Sequence, residues 1–530
     1  MLEHYLAIET LADIPGLHAR TTPDRTALVA DDRRVSYAAL AERSDRVANA
    51  LVAAGLAPGA RVAMLGMDSE SSYEILLGCA KAEMVLLGIN WRLEPSEIAY
   101  ILQDSEAELL FITKELLAMA EAFLPACPRL LSVIVFDQPS AQPSERYPGY
   151  RAWRDAQPSQ RAAGRIDPSR AVVQVYTSGT SGRPKGVVLS HRCFLDVARE
   201  VVRAGDELID WRPHDTTLLA LPTFHVGGLW FAIHGLVNGA TNIVMKTFHG
   251  AVALELIEQH AITKVAFVPA MLRFMLSEPT CRTANLSSVD QLVYGGSPMP
   301  RPILDRAREL FKCRFNQNYG LSETTNMAVF MPSVEHLDPA NPRLAAAGKP
   351  LRGVAVKILD PDGRALPPGQ TGEIAVRTAG HMLEYWKLPE ETRKTLVDGW
   401  IHTGDAGYVD KDGFVYVTDR IKDLIISAGE NIYPAELERV LVQHEAIADV
   451  AVIGIPDDRW GEVPIAVVVR RPGATLTKPD VMNFARKHLA SFKMLRSVEF
   501  VDALPRNASG KILKRALREP YWAGRAKRVN

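Results

Sequence analysis

Apolar residues recur at helical spacing across Ser36–Gly55, which reads as an amphipathic helix with Ser36 as N-cap and Gly55 at its C-terminal stop. Arg61-Val-Ala-Met-Leu65 follows as a short apolar run of buried-strand type. Helix and strand patterns alternate through the first ~120 residues and again across 215–315, for example at Lys264-Val-Ala-Phe-Val268 and Gln291-Leu-Val-Tyr294. That alternation predicts layered α/β subdomains with largely parallel sheets. Near residue 350 the pattern changes. Val354–Gly363 and Gly372–Arg377 read as strands around Asp-Gly and Pro-Gly turns, and the turn Asp410–Gly413 leads into Phe414-Val-Tyr-Val417. A small antiparallel β-barrel or distorted sheet ending near Asp419 is expected. Beyond it, helix (Ala435–Gln443), strand (Val450–Ile455), strand (Pro464–Val469), helix (Lys478–Leu489) and strand (Ser497–Val501) make a compact α+β unit. A domain boundary is expected within Asp419-Arg420-Ile421-Lys422, dividing the chain into 1–420 and 421–530. No internal repeat or low-complexity segment interrupts the pattern.

Between two strand-like runs, Ala171–Val175 and Gly186–Leu189, lies Tyr176-Thr-Ser-Gly-Thr-Ser-Gly-Arg-Pro-Lys-Gly186. Glycines let backbone N–H groups approach an anion, hydroxyls add donors, and Lys185 adds a charge, so the loop can wrap a polyphosphate. A Walker A loop needs another spacing and runs into a helix, so that class fails on both counts. A flexible surface linker is the plain alternative, but linkers are seldom set between two buried-type strands.

Composition narrows the class. Hydrophobic residues make up 47% and charged residues 23%, ordinary for a globular protein. The net charge of −1 gives no global field to recruit nucleic acid or an anionic membrane. Cys79, Cys127, Cys193, Cys281 and Cys313 are scattered without a Cys-x-x-Cys pair, as expected of reduced thiols in a cytoplasmic protein with no cysteine metal site. No signal-peptide pattern opens the chain, and no apolar run approaches the ~18–20 residues a transmembrane helix needs. The basic C-terminal stretch is expected to be a solvated helix rather than a membrane or acidic-partner patch.

Further motifs follow the loop in order. Ala220-Leu-Pro-Thr-Phe-His-Val-Gly-Gly228 sets His225 among apolar and small residues. Tyr294-Gly-Gly-Ser-Pro298 opens a turn, Asn318-Tyr-Gly-Leu-Ser-Glu-Thr324 groups an aromatic, a hydroxyl and a carboxylate, and Trp400-Ile-His-Thr-Gly-Asp405 ends in a turn carboxylate. Thr418–Asn431 crosses the expected boundary, and Pro505-Arg-Asn-Ala-Ser-Gly-Lys-Ile-Leu513 carries Lys511 on a Gly-containing turn. Together, over roughly residues 20–520, these motifs resemble the adenylate-forming (AMP-binding) superfamily, most of all bacterial fatty-acyl and related acyl-CoA ligases.

The resemblance implies a large N-terminal domain with a small mobile C-terminal domain, and a reaction in two halves. A carboxylate attacks the α-phosphorus of ATP and Mg-pyrophosphate leaves; a thiol then attacks the acyl-adenylate and AMP leaves. The first half joins two anions, so charge neutralisation and alignment are the main tasks. The resemblance assigns Thr177, Ser178, Gly179, Thr180 and Lys185 to the β- and γ-phosphates, Glu323 to Mg2+, and Ser322 to the α-phosphate. Gly295, Gly296, Ser297 and Tyr319 would form the adenine slot, Asn318 would also bind ATP, Asp405 would accept from the ribose, and Arg420 would back it. Lys511 would serve the adenylation step, Lys422 would be the pivot of the mobile domain, and Gly429 would leave room for the pantetheine arm. His225, which by itself also fits a plain core histidine, would meet the acyl carboxylate. Phe224, Val226, Gly227, Gly228 and Trp230 would wall the acyl pocket, although plain core packing also accounts for that stretch. His191, His234 and His402 are left as structural. Lys493-Met-Leu495 stands where many relatives read Lys-x-Pro, so no coenzyme A contact is carried over to it.

No Asp or Glu lies in the His225 motif to pair a substrate ammonium, which argues against an amino-acid substrate. The expected activity is ATP- and Mg2+-dependent ligation of a medium- or long-chain fatty acid to coenzyme A. An aryl-acid CoA ligase and transfer to a carrier protein or an amine stay as alternatives, and a homodimer stays open. A non-catalytic nucleotide-binding regulator is disfavoured because Lys185, Glu323, Asp405 and Lys511 are all present.

Overall fold

The computed structural model describes residues 2–136, 146–160, 164–177, 183–206, 208–427, 430–457, 459–489, 493–506 and 512–523. The chain divides into two compact units, Met1–Ala355 with Val376–Ile401 and Val356–Ala375 with His402–Asn530.

The first unit holds a nine-stranded and a seven-stranded sheet. In the larger, Thr26–Ala30, Thr241–Val244, Thr216–Leu219, Lys264–Phe267, Gln291–Gly295 and Arg314–Tyr319 run parallel to their neighbours, with antiparallel strands at both edges. In the smaller, Ala171–Thr177, Val85–Ile89, Arg61–Leu65, Leu109–Thr113 and Ser132–Phe136 are parallel. Lys185–Ser190 then turns back antiparallel beside Ala171–Thr177, and Glu384–Tyr385 closes that edge. The parallel strands read as unbroken apolar runs because helices cover both faces. The expected helix over 36–55 forms as Tyr37–Ala53, with the Ser36 Oγ accepting from the Ala39 N–H and Leu40, Val47 and Leu51 buried. Gly55 ends it at φ +86°, where a side chain would be strained.

One apolar core joins strand residues of both sheets, such as Leu28 and Val62, with the helices Tyr37–Ala53 and Val226–Val237. The helix Glu70–Lys81 is buried from Glu70 to Ala80, although it carries two carboxylates. Glu74 is 0% exposed and is held by Arg154 Nη1 (2.6 Å), Arg43 Nη1 (3.0 Å) and the Tyr150 hydroxyl (2.8 Å). Glu70 pairs with Arg33 at 2.7 Å. A buried carboxylate is tolerated only when paired and hydrogen-bonded, and this helix meets that condition.

In the second unit, Val415–Arg420 runs antiparallel to Trp400–Val409 with a register shift between Ala406 and Gly407, the distorted-sheet form of the expected β region. The C-terminal elements form in the expected order. The strands Ile447–Asp457 and Gly461–Arg470 pair antiparallel, Ser497–Phe500 adds parallel, and the helices Pro434–Leu441 and Lys478–His488 cover a core that includes Leu437, Leu441, Val481 and Ala485. The last described helix, Lys514–Trp522, has no buried residue and leaves Arg515 exposed, as expected of a solvated helix. On one side of it Lys514 pairs with Glu438 at 2.8 Å and Arg518 with Asp423 at 2.9 Å. These acidic partners come from other elements and are not visible in the basic run itself. Among the described residues no helix is long and apolar enough to cross a membrane.

Glu74→Ala should lower stability by about 3–5 kcal/mol, because it strips Arg154 Nη1, Arg43 and the Tyr150 hydroxyl of their shared buried acceptor and leaves Arg154 only the half-exposed Asp155. Urea unfolding of the two proteins checks this; a loss under about 1 kcal/mol, the size of an exposed pair, would contradict it.

Candidate active site

The phosphate-loop candidates are held at the mouth of a hairpin. Thr177 and Lys185 face each other as the last and first residues of paired antiparallel strands. Ser178, Gly179 and Thr180 lie outside the described residues. A Cβ on Gly186 would meet Gln174 Nε2 at 2.5 Å, so a side chain there would have to displace that amide. Lys185 is buried at 8% exposure, its Nζ 2.7 Å from Glu391 Oε2 and 5.1 Å from the Tyr385 ring centroid. That pairing holds the Glu391 carboxyl below its usual range.

Glu323 sits in a 3-10 turn, Ser322–Thr324, followed by Thr325 and Asn326 with φ of 49° and 62°. The Tyr385 hydroxyl donates to Glu323 Oε1 at 2.6 Å. Residues 380–386 stitch the turn to the phosphate-loop hairpin. The Thr325 hydroxyl donates to the Gly380 carbonyl (2.7 Å) and Met382 N–H to the Glu323 carbonyl (2.8 Å). Leu383 N–H then donates to the Val188 carbonyl (2.9 Å), and Trp386 N–H to the Gly186 carbonyl (2.7 Å). Lys185, Tyr385 and Glu323 thereby form one connected group. Tyr385 and Glu391 were not singled out in the sequence, because nothing near them marks a tyrosine or a helix glutamate as polar machinery.

The adenine-slot candidates share adjacent strands. Gly295 pairs with Asn318, and a Cβ on it would lie 2.2 Å from the Asn318 carbonyl oxygen. Gly296 has φ +78°, and Ser297 is exposed. Asn318 is buried; its Nδ2 donates to the Asn326 carbonyl (2.7 Å), while its Oδ1 is sealed with no partner among the described residues. Tyr319 ends that strand and Ser322 opens the Glu323 turn, both half-buried.

His225 occupies the N-cap position of the helix Val226–Val237. Its Nε2 is buried with no hydrogen-bond partner among the described residues. Burial, with a smaller push from Arg92, lowers its pKa to about 4, so the imidazole is neutral at physiological pH. Phe224, Val226, Gly228 and Trp230 are buried around it, and the Trp230 indole N–H is likewise unpartnered. A Cβ on Gly228 would meet the Pro222 carbonyl oxygen at 2.2 Å, whereas one on Gly227 would meet only Asn326 Nδ2, at 3.9 Å. Gly228 is therefore required by packing and Gly227 leaves open space. His234 bonds the Tyr5 hydroxyl, His191 accepts from Leu11 N–H, and His402 pairs with Glu373, which gives all three structural partners.

Asp68, also absent from the sequence reading, fixes the loop into His225. Its carboxylate accepts from the Thr223 N–H at 3.0 Å and from the Thr223 hydroxyl. Burial raises its pKa to about 6, against the lowering effect of those two bonds.

In the second unit, Asp405 lies inside the strand Trp400–Val409, not at the turn expected from sequence. Strand pairing sets Arg420 opposite it, and Arg420 Nε reaches Asp405 Oδ1 at 2.7 Å. Lys422 sits in the 3-10 turn Ile421–Asp423, whose Asp423 is gripped by Arg518. Lys493 pairs with Glu436 through both oxygens, at 2.6 and 2.7 Å. Gly429 and Lys511 lie outside the described residues.

Because Asp68 titrates near 3.8 when exposed and about 6 when folded, the folded state holds its proton more tightly between those values. Its contribution to stability should fall as pH rises from 4 to 6 and stay level above. The melting-temperature difference between the protein and its Asp68→Asn variant should follow that course; a difference independent of pH would contradict it.

A family profile described as AMP-binding enzyme matches residues 17–386, and one described as AMP-binding enzyme C-terminal domain matches residues 436–511. The chain is 44% identical to fatty acid–[acyl-carrier-protein] ligase ScoC of Streptomyces coeruleorubidus, over 99% of both chains. It is 37% identical to feruloyl-CoA synthase of an Amycolatopsis species, over 96% of this chain and 99% of that one. The crystal structure of the anthranilate CoA ligase AuaEII with anthranoyl-AMP matches with a TM-score of 0.87 at 26% identity, covering 97% of each chain. ATP, Mg2+ and coenzyme A are the co-substrates of AMP-forming CoA ligases. With both profiles matched in order along a mixed α/β chain, this protein belongs to the AMP-binding enzyme family, as an adenylate-forming acid–thiol ligase.

Proposed function

We propose that the protein activates a hydrophobic carboxylic acid, a medium- or long-chain fatty acid, as its acyl-adenylate and passes the acyl group to a pantetheine thiol. The observation that carries the adenylation step is the connected group Lys185, Tyr385 and Glu323, which gathers a cation and a metal-binding carboxylate beside a glycine-rich loop. Lys185 is the cation for the β- and γ-phosphates. ATP must draw it from Glu391, an exchange of one anionic partner for another. Among the described residues no three His, Cys, Asp or Glu side chains gather around a metal position, so Mg2+ fits a site of one carboxylate, Glu323, completed by phosphate oxygens. When bound, Mg2+ neutralises phosphate charge as the pyrophosphate leaves.

Asn318 Oδ1, which lacks a partner among the described residues, would accept from the amino group of the base, with Gly295, Gly296, Ser297 and Tyr319 around the ring. Ser322 donates to the α-phosphate. Asp405, ordered by Arg420, takes the ribose hydroxyls. Lys511 stabilises the charge that develops at the α-phosphate, and Thr177, Ser178, Gly179 and Thr180 supply donors to the remaining oxygens. Lys422 is the pivot between the two half-reactions, and Gly429 clears the path of the thiol arm.

Neutral His225 presents an uncharged imidazole to the acyl carboxylate, so it leaves the substrate anion nucleophilic. The buried Phe224, Val226 and Trp230, with open space at Gly227, support an acyl group of hydrocarbon character. Similarity to ScoC, whose name specifies a fatty acid and an acyl-carrier protein, supports the fatty-acid reading. It also favours a carrier-protein thiol as a second acceptor, while feruloyl-CoA synthase favours coenzyme A and an aryl acid.

ATP–pyrophosphate exchange over a panel of fatty and aryl acids tests the reading. Fatty acids of medium or long chain should give the highest exchange, with thioester formed on coenzyme A; thioester formed on a holo-carrier protein instead would move the acceptor to that protein. Preference for aryl acids would overturn the substrate assignment.

Glu323→Gln should cut exchange by at least about a hundredfold, since an amide is a poor Mg2+ ligand. Lys511→Ala should lose adenylation to a similar degree while converting supplied acyl-adenylate and thiol to thioester at near-normal rate. Equal loss in both half-reactions would remove Lys511 from the adenylation step.

A further inference from the structure

Tyr385 is 6% exposed and fixed on three sides. Strand pairing sets its backbone opposite Val187, two residues beyond Lys185. Its N–H donates to Thr392 Oγ1 at 2.9 Å, on the helix Pro389–Thr395 that also carries Glu391. Its ring lies beneath the Lys185 ammonium, and its hydroxyl donates to Glu323 Oε1. A phenol keeps its proton at physiological pH, so it stays a donor.

A carboxylate on a short turn can rotate, and a metal needs one of its oxygens held in place. The Tyr385 bond occupies Oε1, and no other hydrogen bond to the Glu323 carboxylate forms among the described residues, which leaves Oε2 for a cation. A bond to a charged acceptor is among the stronger kinds, and the ring that carries this donor is buried and packed against the Lys185 ammonium. We infer that Tyr385 is a positioning residue that locks Glu323 to present its second oxygen to the divalent cation bound with ATP, in the same rigid frame as Lys185. This inference rests on the adenylation reading of the site.

The test replaces Mg2+ by Mn2+ and ATP by its α,β-methylene analogue, and reads Mn2+ binding from the electron paramagnetic resonance signal of the free ion. Tyr385→Phe keeps the ring, its packing and its stacking under Lys185, and removes only the hydroxyl. It should weaken analogue-dependent Mn2+ binding about tenfold, the scale of one hydrogen bond to a charged group. Glu323→Gln should weaken it at least as much, and the double variant should be no weaker than Glu323→Gln, because Tyr385 acts through that carboxylate. Glu391→Gln frees Lys185 for the analogue without touching the Tyr385–Glu323 bond and should not weaken Mn2+ binding. The inference is overturned if Tyr385→Phe binds Mn2+ as the parent does. It also falls if its loss adds in full to that of Glu323→Gln, or if Glu391→Gln matches the Tyr385→Phe loss. A parent protein that binds no Mn2+ with the analogue would instead overturn the adenylation reading, whatever the variants do.

Discussion

Backbone hydrogen bonds from residues 382–386 to the Glu323 turn and to the strand Lys185–Ser190 hold the candidate site together. Neither side of that junction is stable in place by itself. Glu323 sits on a 3-10 turn followed by two left-handed residues, a conformation that a few local bonds hold only weakly. Lys185 begins a strand whose outer edge would otherwise lie open. The short strand Glu384–Tyr385 covers that edge and delivers a phenol to the carboxylate, so one segment closes a sheet and joins two charges of opposite sign.

Around His225 the logic is desolvation. An imidazole flanked by Phe224 and set at the N-cap of an apolar helix is denied its proton, and Asp68 on the neighbouring loop is denied its charge until about pH 6. The imidazole is thus uncharged near neutral pH, whereas Asp68 keeps its proton only below about pH 6. The buried carboxylates of the helix Glu70–Lys81 are treated in the opposite way, each paired with arginine. A pair needs no opening to a ligand, so those side chains belong to the scaffold.

The second unit uses paired charge to order its own polar groups. Arg420 faces Asp405 across two antiparallel strands, and Arg518 and Lys514 tie the helix Lys514–Trp522 to Asp423 and Glu438. The Lys422 turn is therefore bounded by the Asp405–Arg420 ladder on one side and the Arg518 grip on the other.

Local chemistry determined much of this protein. The spacing of apolar residues set the helix Tyr37–Ala53 and its Ser36 cap, and unbroken apolar runs set the parallel strands, because these depend only on neighbours along the chain. The order of the glycine, hydroxyl and carboxylate motifs carried the family and its reaction. Tertiary structure alone decided the rest. Tyr385, Glu391 and Asp68 matter through partners far away in sequence, and a lone tyrosine or acid has no local signature. Asp405 was expected at a turn, yet it lies within a strand paired with Arg420. The basic C-terminal helix has no buried residue, as expected, but its pairs with Glu438 and Asp423 were not legible, because a basic run looks the same whether water or a carboxylate faces it. Periodicity belongs to the chain, while pairing across sheets belongs to the folded molecule.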